Sequence, residues 1–139
     1  MHKSFTFPLL YLLALAGCSG STALHANDVV LIPTKSIYAP GETISAQLFN
    51  RSEEQVGYGA CSVRLEHLAG SQWMLVGPEQ LPCISVLYVL EPASTRTLQV
   101  PLDQILESGT YRLRQEILPH TSLPARTIYS PEFRLRNAA

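Results

Sequence analysis

The sequence predicts an all-β fold, an antiparallel β-sandwich of seven to eight short strands preceded by a cleaved signal peptide. Three observations predict it. From Val29 onward, short apolar runs alternate with turn residues. Several of those runs carry an apolar side chain at every second position, the period of a half-buried strand. Ten Pro and eight Gly interrupt the 139 residues so often that no long helix fits. A hydrophobic content of 46% against 15% charged residues supports a packed core and argues against a disordered chain. Ten Lys and Arg stand against eleven Asp and Glu, without the basic excess of an electrostatic nucleic-acid binder.

The first segment is read as an address. Met1 to Phe7 holds Lys3 and no acid, and an apolar run follows from Pro8 to Ala16. That run is too short for a ~30 Å hydrocarbon core, which takes about 20 helical residues. A basic start, a short apolar core and then small residues form the pattern of a secretory signal peptide. Leu15-Ala16-Gly17-Cys18 resembles the lipobox of bacterial lipoproteins. The resemblance implies removal of residues 1–17, acylation of Cys18 and a membrane partner reached through the lipid. Several acyl chains supply the two or more signals that stable anchoring needs. Ser19, in place of Asp, resembles the pattern sent to the outer membrane in Gram-negative cells; elsewhere the cell membrane is expected. Residues 18–28 are small and polar and read as a flexible tether. The domain is expected over residues 29–136.

The elements follow in order. Val29 to Ile32 is a strand stopped by Pro33. Tyr38 to Glu42 is a turn, its Pro40-Gly41 suited to type II geometry. Thr43 to Phe49 places Ile44, Ala46 and Leu48 on one face, and polar Asn50 to Glu54 closes the hairpin; Asn50-Arg51-Ser52 matches a glycosylation sequon but is read as part of that turn. Val56 to Leu68 reads as one strand, with Cys61, Val63 and Leu65 inward and Ser62, Arg64 and Glu66 outward. Ala69-Gly70-Ser71 turns the chain into a short strand from Trp73 to Val76, where Trp73 is expected to anchor the core. Cys83 to Leu90 is apolar throughout, so its faces cannot be told from periodicity. Thr95 to Leu102 alternates through Leu98, Val100 and Leu102. Asp103 to Leu106 reads as one helical turn. Tyr111 to Ile117 puts Tyr111, Leu113 and Ile117 inward, with Gln115 an imperfect inward position. Ile128 to Leu135 is the last strand, and Pro131 makes its middle an edge or a bulge.

Two stretches resemble bacterial immunoglobulin-like domains. Tyr38-Ala39-Pro40-Gly41-Glu42-Thr43-Ile44 and Leu48-Phe49-Asn50-Arg51-Ser52 look like the opening of such a domain. Leu106 to Leu113 resembles its penultimate strand, where a Gly-x-Tyr sits at a corner. The resemblance implies an immunoglobulin-like sandwich in which the Tyr111 hydroxyl bonds back to upstream backbone. It also implies an adhesive, structural or accessory role, with protease inhibition known in similar small sandwiches. The antibody-type Cys-Trp-Cys order is missing, because Trp73 and Cys83 both follow Cys61.

With Cys18 acylated, Cys61 and Cys83 remain as a pair in an exported chain, where a disulfide is the expected state. The closed loop of about 23 residues is worth roughly 3.4 kcal/mol in the chain-entropy treatment. No CxxC or Cys/His spacing marks a metal site, and no cofactor is expected. His25, His67 and His120 are widely spaced and read as solvated surface residues. No nucleophile elbow, phosphate loop or zinc-binding helix motif occurs. In an immunoglobulin-like topology the third strand and the last two lie side by side. Arg64, Arg112, Arg114, Arg134 and Arg136 then share a face with Glu66, Glu116 and Glu132. Arginine binds carboxylate and phosphate bidentately, so this face is the candidate docking surface for a protein or an anionic envelope component; cross-strand Arg–Glu pairing is the alternative reading. The expected function is a lipid-anchored, non-catalytic interaction or structural protein of the cell envelope. Two alternatives stand beside it: an envelope protease inhibitor using a loop at Pro78–Pro82 or Pro119–Pro124, and an enzyme built on Cys61.

Overall fold

The computed structural model describes residues 28–59, 61–77, 86–100, 106–119 and 124–136. All regular elements among them are strands. They are β1 (Val29–Pro33), β2 (Ile37–Tyr38), β3 (Ile44–Asn50), β4 (Val56–Gly59), β5 (Arg64–Ala69), β6 (Gln72–Leu75), β7 (Leu87–Leu90), β8 (Thr95–Val100), β9 (Gly109–Pro119), β10 (Arg126–Tyr129) and β11 (Phe133–Leu135). A small sheet has the order β1-β3-β8. The large sheet is built around β9, which pairs with β11 and β10 along one side and with β5 and β4 along the other. β6 extends it beyond β5, β7 beyond β4, and β2 beyond β11.

Alternation in the sequence becomes burial in the core. Ile44, Ala46 and Leu48 of β3 are fully buried, as are Tyr111, Leu113 and Ile117 of β9. They meet Leu31, Val56, Leu90, Leu98, Phe133 and Leu135 between the two sheets. The Pro40-Gly41 turn closes with Glu42 N–H donating to Ala39 O at 3.2 Å. Gly41 takes φ +76°, the conformation that the third residue of a type II turn requires. The tyrosine corner is present: the Tyr111 hydroxyl donates to Glu107 O at 2.7 Å. Burial raises the Tyr111 phenol pKa above its ordinary value, with the charge of Glu107 adding to the effect.

Strands outnumber the expected seven or eight because two expected segments break and one strand is added. The single strand expected from Val56 to Leu68 divides into β4 and β5. Gly57 pairs with Leu118, and Arg64 with Arg114. Seven steps along one chain are thus matched by four along β9, and the surplus is thrown out as a turn. Ser62 closes that turn through N–H and Oγ–H donation to Gly59 O at 3.1 and 2.8 Å. Pro131 splits the last segment into β10 and β11, both on β9. Ile37–Tyr38 pairs in parallel with Arg134–Leu135 as an added strand. The helical turn expected at 103–106 lies, except for Leu106, outside the described residues.

Candidate functional site

Residues 110, 112, 114 and 116 of β9 point away from the core, because their odd-numbered neighbours are buried in it. Pairing carries this outer face sideways. Arg64 stands opposite Arg114, Glu66 opposite Arg112, Tyr129 opposite Arg114 and Arg134 opposite Thr110. Trp73 stands opposite Leu68, two positions along β5 from Glu66, and so on the same face.

Arg112 is the centre of this face. Its Nε donates to Glu66 Oε2 at 2.7 Å. Its guanidinium lies 4.3 Å from the Trp73 ring centroid and 4.0 Å from that of Tyr129. The cation is therefore clamped between two rings and tied at its edge to a carboxylate. A partly desolvated cation–π contact is worth about 1–2 kcal/mol. Arg114 approaches the second oxygen of Glu66 at 3.6 Å. Arg64 and Arg114 are like charges in direct opposition, which disfavours pairing. They are drawn apart, since Arg64 donates to Cys61 O at 2.8 Å while Arg114 leans to Glu66. Arg134 and Arg136 are exposed.

Three side chains differ from expectation. Glu66, expected outward in water, is buried, because Arg112 covers it and supplies its counter-charge. Trp73, expected in the core, lies on the outer face as one wall of the Arg112 clamp. His67, expected in solvent, is half-buried with its ring stacked on Tyr111 at 4.6 Å between centroids. A Cβ added to Gly109 would meet His67 Nε2 at 2.6 Å, so the missing side chain there makes room for the imidazole. Tyr129, which carries no signal in the sequence, forms the second wall of the clamp.

Gln115 is fully buried. Its Nε2 donates to Ser62 Oγ, to Gly59 O at 3.2 Å and to Glu116 O at 3.0 Å, and among the described residues its Oε1 has no hydrogen-bond partner. The side chain fastens β9 to the turn that carries Cys61. Cys18, Cys83, His25, His120 and the loop at 78–82 lie outside the described residues, as do 120–123. Among the described residues no three His, Cys, Asp or Glu side chains gather as a metal set.

A family model described as "Bacterial Ig-like domain" matches residues 25–133. Among solved structures, the chain is similar to the ASH / PapD-like domain of human CEP192 (PapD-like domain 7) at 15% identity and a TM-score of 0.39, covering 94% of this chain and 96% of that one. It is also similar to Pseudomonas fluorescens alkylpurine DNA glycosylase AlkC bound to DNA containing an abasic site analog. That match has 12% identity and a TM-score of 0.33, and covers 78% of this chain and 30% of that one. Both likenesses are too distant to bear on what this chain does. No curated protein matches it in sequence.

Proposed function

Since the chain belongs to the bacterial Ig-like domain family, we propose that it is a lipid-anchored protein of the cell envelope whose sandwich is a non-catalytic interaction module. Residues 1–17 are the signal peptide, Cys18 the acylated residue, 18–28 the tether and 29–136 the displayed domain. The outer face of the large sheet is the docking surface, and its partner is a protein or an anionic envelope component.

One observation carries this reading. Arg112 is locked by Glu66, Trp73 and Tyr129, so the face is a rigid platform, and Arg114 and Arg134 stand on it with side chains open to solvent. Arg136 follows directly after β11. Guanidinium groups presented from such a platform bind planar anionic groups bidentately. Arg64 and Arg112 serve to build the platform, and Arg114, Arg134 and Arg136 are the contact groups. The Cys61–Cys83 disulfide belongs to the same proposal. Its support is the assignment of Cys61 as a disulfide-bonded cysteine, which also weighs against an enzyme built on Cys61.

The test is crosslinking in intact cells. Arg114→Glu with Arg134→Glu is expected to abolish the crosslinked partner while leaving the melting temperature within a few degrees. An unchanged partner profile overturns the docking face. Separately, Cys18→Ala is expected to move the protein from the membrane fraction to the soluble one; retention in the membrane overturns the anchor.

A further inference from the structure

The two sheets end on the same flank in strands of opposite character. β8, the edge of the small sheet, reads Thr95-Arg96-Thr97-Leu98-Gln99-Val100, with exposed polar side chains and a charge. That composition is how natural sheets keep an edge from pairing with other chains. β7, the edge of the large sheet, reads Leu87-Tyr88-Val89-Leu90 and carries no charge, no Pro and no Lys. Leu87, Tyr88 and Val89 are 58%, 45% and 51% exposed. Among the described residues β7 has one paired neighbour, β4.

The hydrogen-bonding sense of that edge follows from the ladder. Ser130 N–H donates to Leu113 O, so odd residues of β9 bond toward β10 and even ones toward β4. Gly57 therefore bonds to Leu118, and Val56 and Tyr58 turn their backbone groups to β7. Their partners there are Leu90 and Tyr88. The N–H and C=O groups of Leu87 and Val89 consequently face away from β4, on the side where β7 has no paired neighbour among the described residues. The side chains of these two residues point outward with Leu118, over Gly57. A Cβ on Gly57 would meet Leu87 Cδ1 at 3.1 Å and Leu118 Cβ at 3.3 Å, so the glycine lets both close over β4.

We infer that β7 pairs with β7 of a second copy of this chain, antiparallel about a two-fold axis at Tyr88. A continuous sheet demands that opposed residues share a face. With the axis at Tyr88, Leu87 lies opposite Val89 of the second copy, and their outward groups form four backbone hydrogen bonds in all. Tyr88 lies opposite Tyr88, and Val86 opposite Leu90. A shift by one face-matching step toward the C-terminus would set Leu87 against Glu91, an apolar residue against an acid. The uncharged strand opposes no like charges when paired with itself, as an isologous contact requires. Val86, Leu87, Tyr88, Val89 and Leu118 are between 38% and 58% exposed, and five half-exposed side chains make a patch well below the ~800 Å² per partner of a standard interface. The association is therefore weak and reversible, and it uses a different edge from the arginine face.

The test uses Tyr88→Cys in the full chain. Opposed residues in a non-hydrogen-bonded antiparallel pair have Cα atoms about 4.5 Å apart, within disulfide range. Mild oxidation of cells carrying this variant is expected to give a reducible product of twice the chain mass, and Thr97→Cys on β8 is expected to give none. Sedimentation of the purified full chain over a concentration series is expected to show self-association that Val89→Lys weakens at least tenfold, with its melting temperature within a few degrees. The inference is overturned by no doubled product from Tyr88→Cys, by a product of another mass, by equal yield from Thr97→Cys, or by sedimentation that Val89→Lys leaves unchanged. None of these outcomes depends on acylation, so a failed anchor and a failed dimer are told apart.

Discussion

Asn50, at the end of β3 in the small sheet, donates from Nδ2 to the carbonyl of Leu90 at the end of β7 in the large one, at 3.1 Å. The same nitrogen reaches Glu54 O at 2.8 Å and Glu91 O at 3.2 Å. Its Oδ1 accepts from Ser52 N–H and Oγ–H at 3.0 and 2.7 Å. One buried amide thus joins two sheets and a turn.

Asn50→Ala removes the contacts of Nδ2 with three carbonyls and of Oδ1 with the Ser52 N–H and hydroxyl, while Glu54 O keeps the Ser52 hydroxyl and Glu91 O the Ser94 N–H and hydroxyl. Each intramolecular hydrogen bond lost costs about 0.5–1.5 kcal/mol net. The expected loss is about 3 kcal/mol, read as a melting temperature lower by more than about 10 °C. Arg51→Ala, one residue on and exposed, is expected to stay within about 0.5 kcal/mol.

The Arg112–Glu66 pair is predicted to be far worse broken than replaced. Arg112→Ala takes the hydrogen-bonded partner from a buried carboxylate, leaving it Arg114 at 3.6 Å, and is expected to cost about 3 kcal/mol. Arg112→Met with Glu66→Met together is expected to lie within about 1–2 kcal/mol of the parent. Urea denaturation of the singles and the double gives the coupling directly.

Tyr111→Phe removes the corner bond to Glu107 O, for an expected loss of about 1 kcal/mol. The pH dependence has a definite sign. The folded phenol holds its proton more tightly than the unfolded one, whose value is 10.0. Its contribution is full below about pH 10 and is lost as pH rises from there through the folded value. The alkaline fall in denaturation midpoint is expected to be shallower in Tyr111→Phe than in the parent.

Glu42 is held below its ordinary pKa of 4.5, first by its hydrogen bond with Lys35 and then by the Ala39 N–H. A lowered carboxyl contributes stability above its unfolded pKa and loses it as pH falls through the folded value. A carbon-detected NMR titration is expected to show Glu42 protonating below pH 4.5. Lys35→Met is expected to move the midpoint up.

What the sequence revealed, and what it hid, divides by distance along the chain. The inward residues of β3 and β9 were legible because a strand that is buried on one face writes its period into itself. The corner at Tyr111 was legible because its partner lies four residues upstream. Glu66 was misjudged because the arginine that neutralises it is 46 positions away. The break between β4 and β5 was hidden because alternation runs on through a slip that exists only relative to β9. Trp73 was placed in the core by its size, although its neighbour on β9 is a cation. Asn50 gave a turn signal, which was right for its position and silent about its burial. The apolar run before Leu90 gave no faces at all, and the structure leaves Val86 to Val89 exposed.

The parallel contact between β2 and β11 sets how this module would bear a pull. Arg134 N–H donates to Ser36 O, and Arg136 N–H to Tyr38 O, at 2.9 and 3.1 Å. Those two bonds fasten an early stretch of the chain alongside its last strand, both running in the same direction. A force drawing the two chain ends apart would slide one stretch along the other, straining both links at once instead of peeling them open in turn. The closure is thus oriented as a shear clasp, braced against tension along the strands.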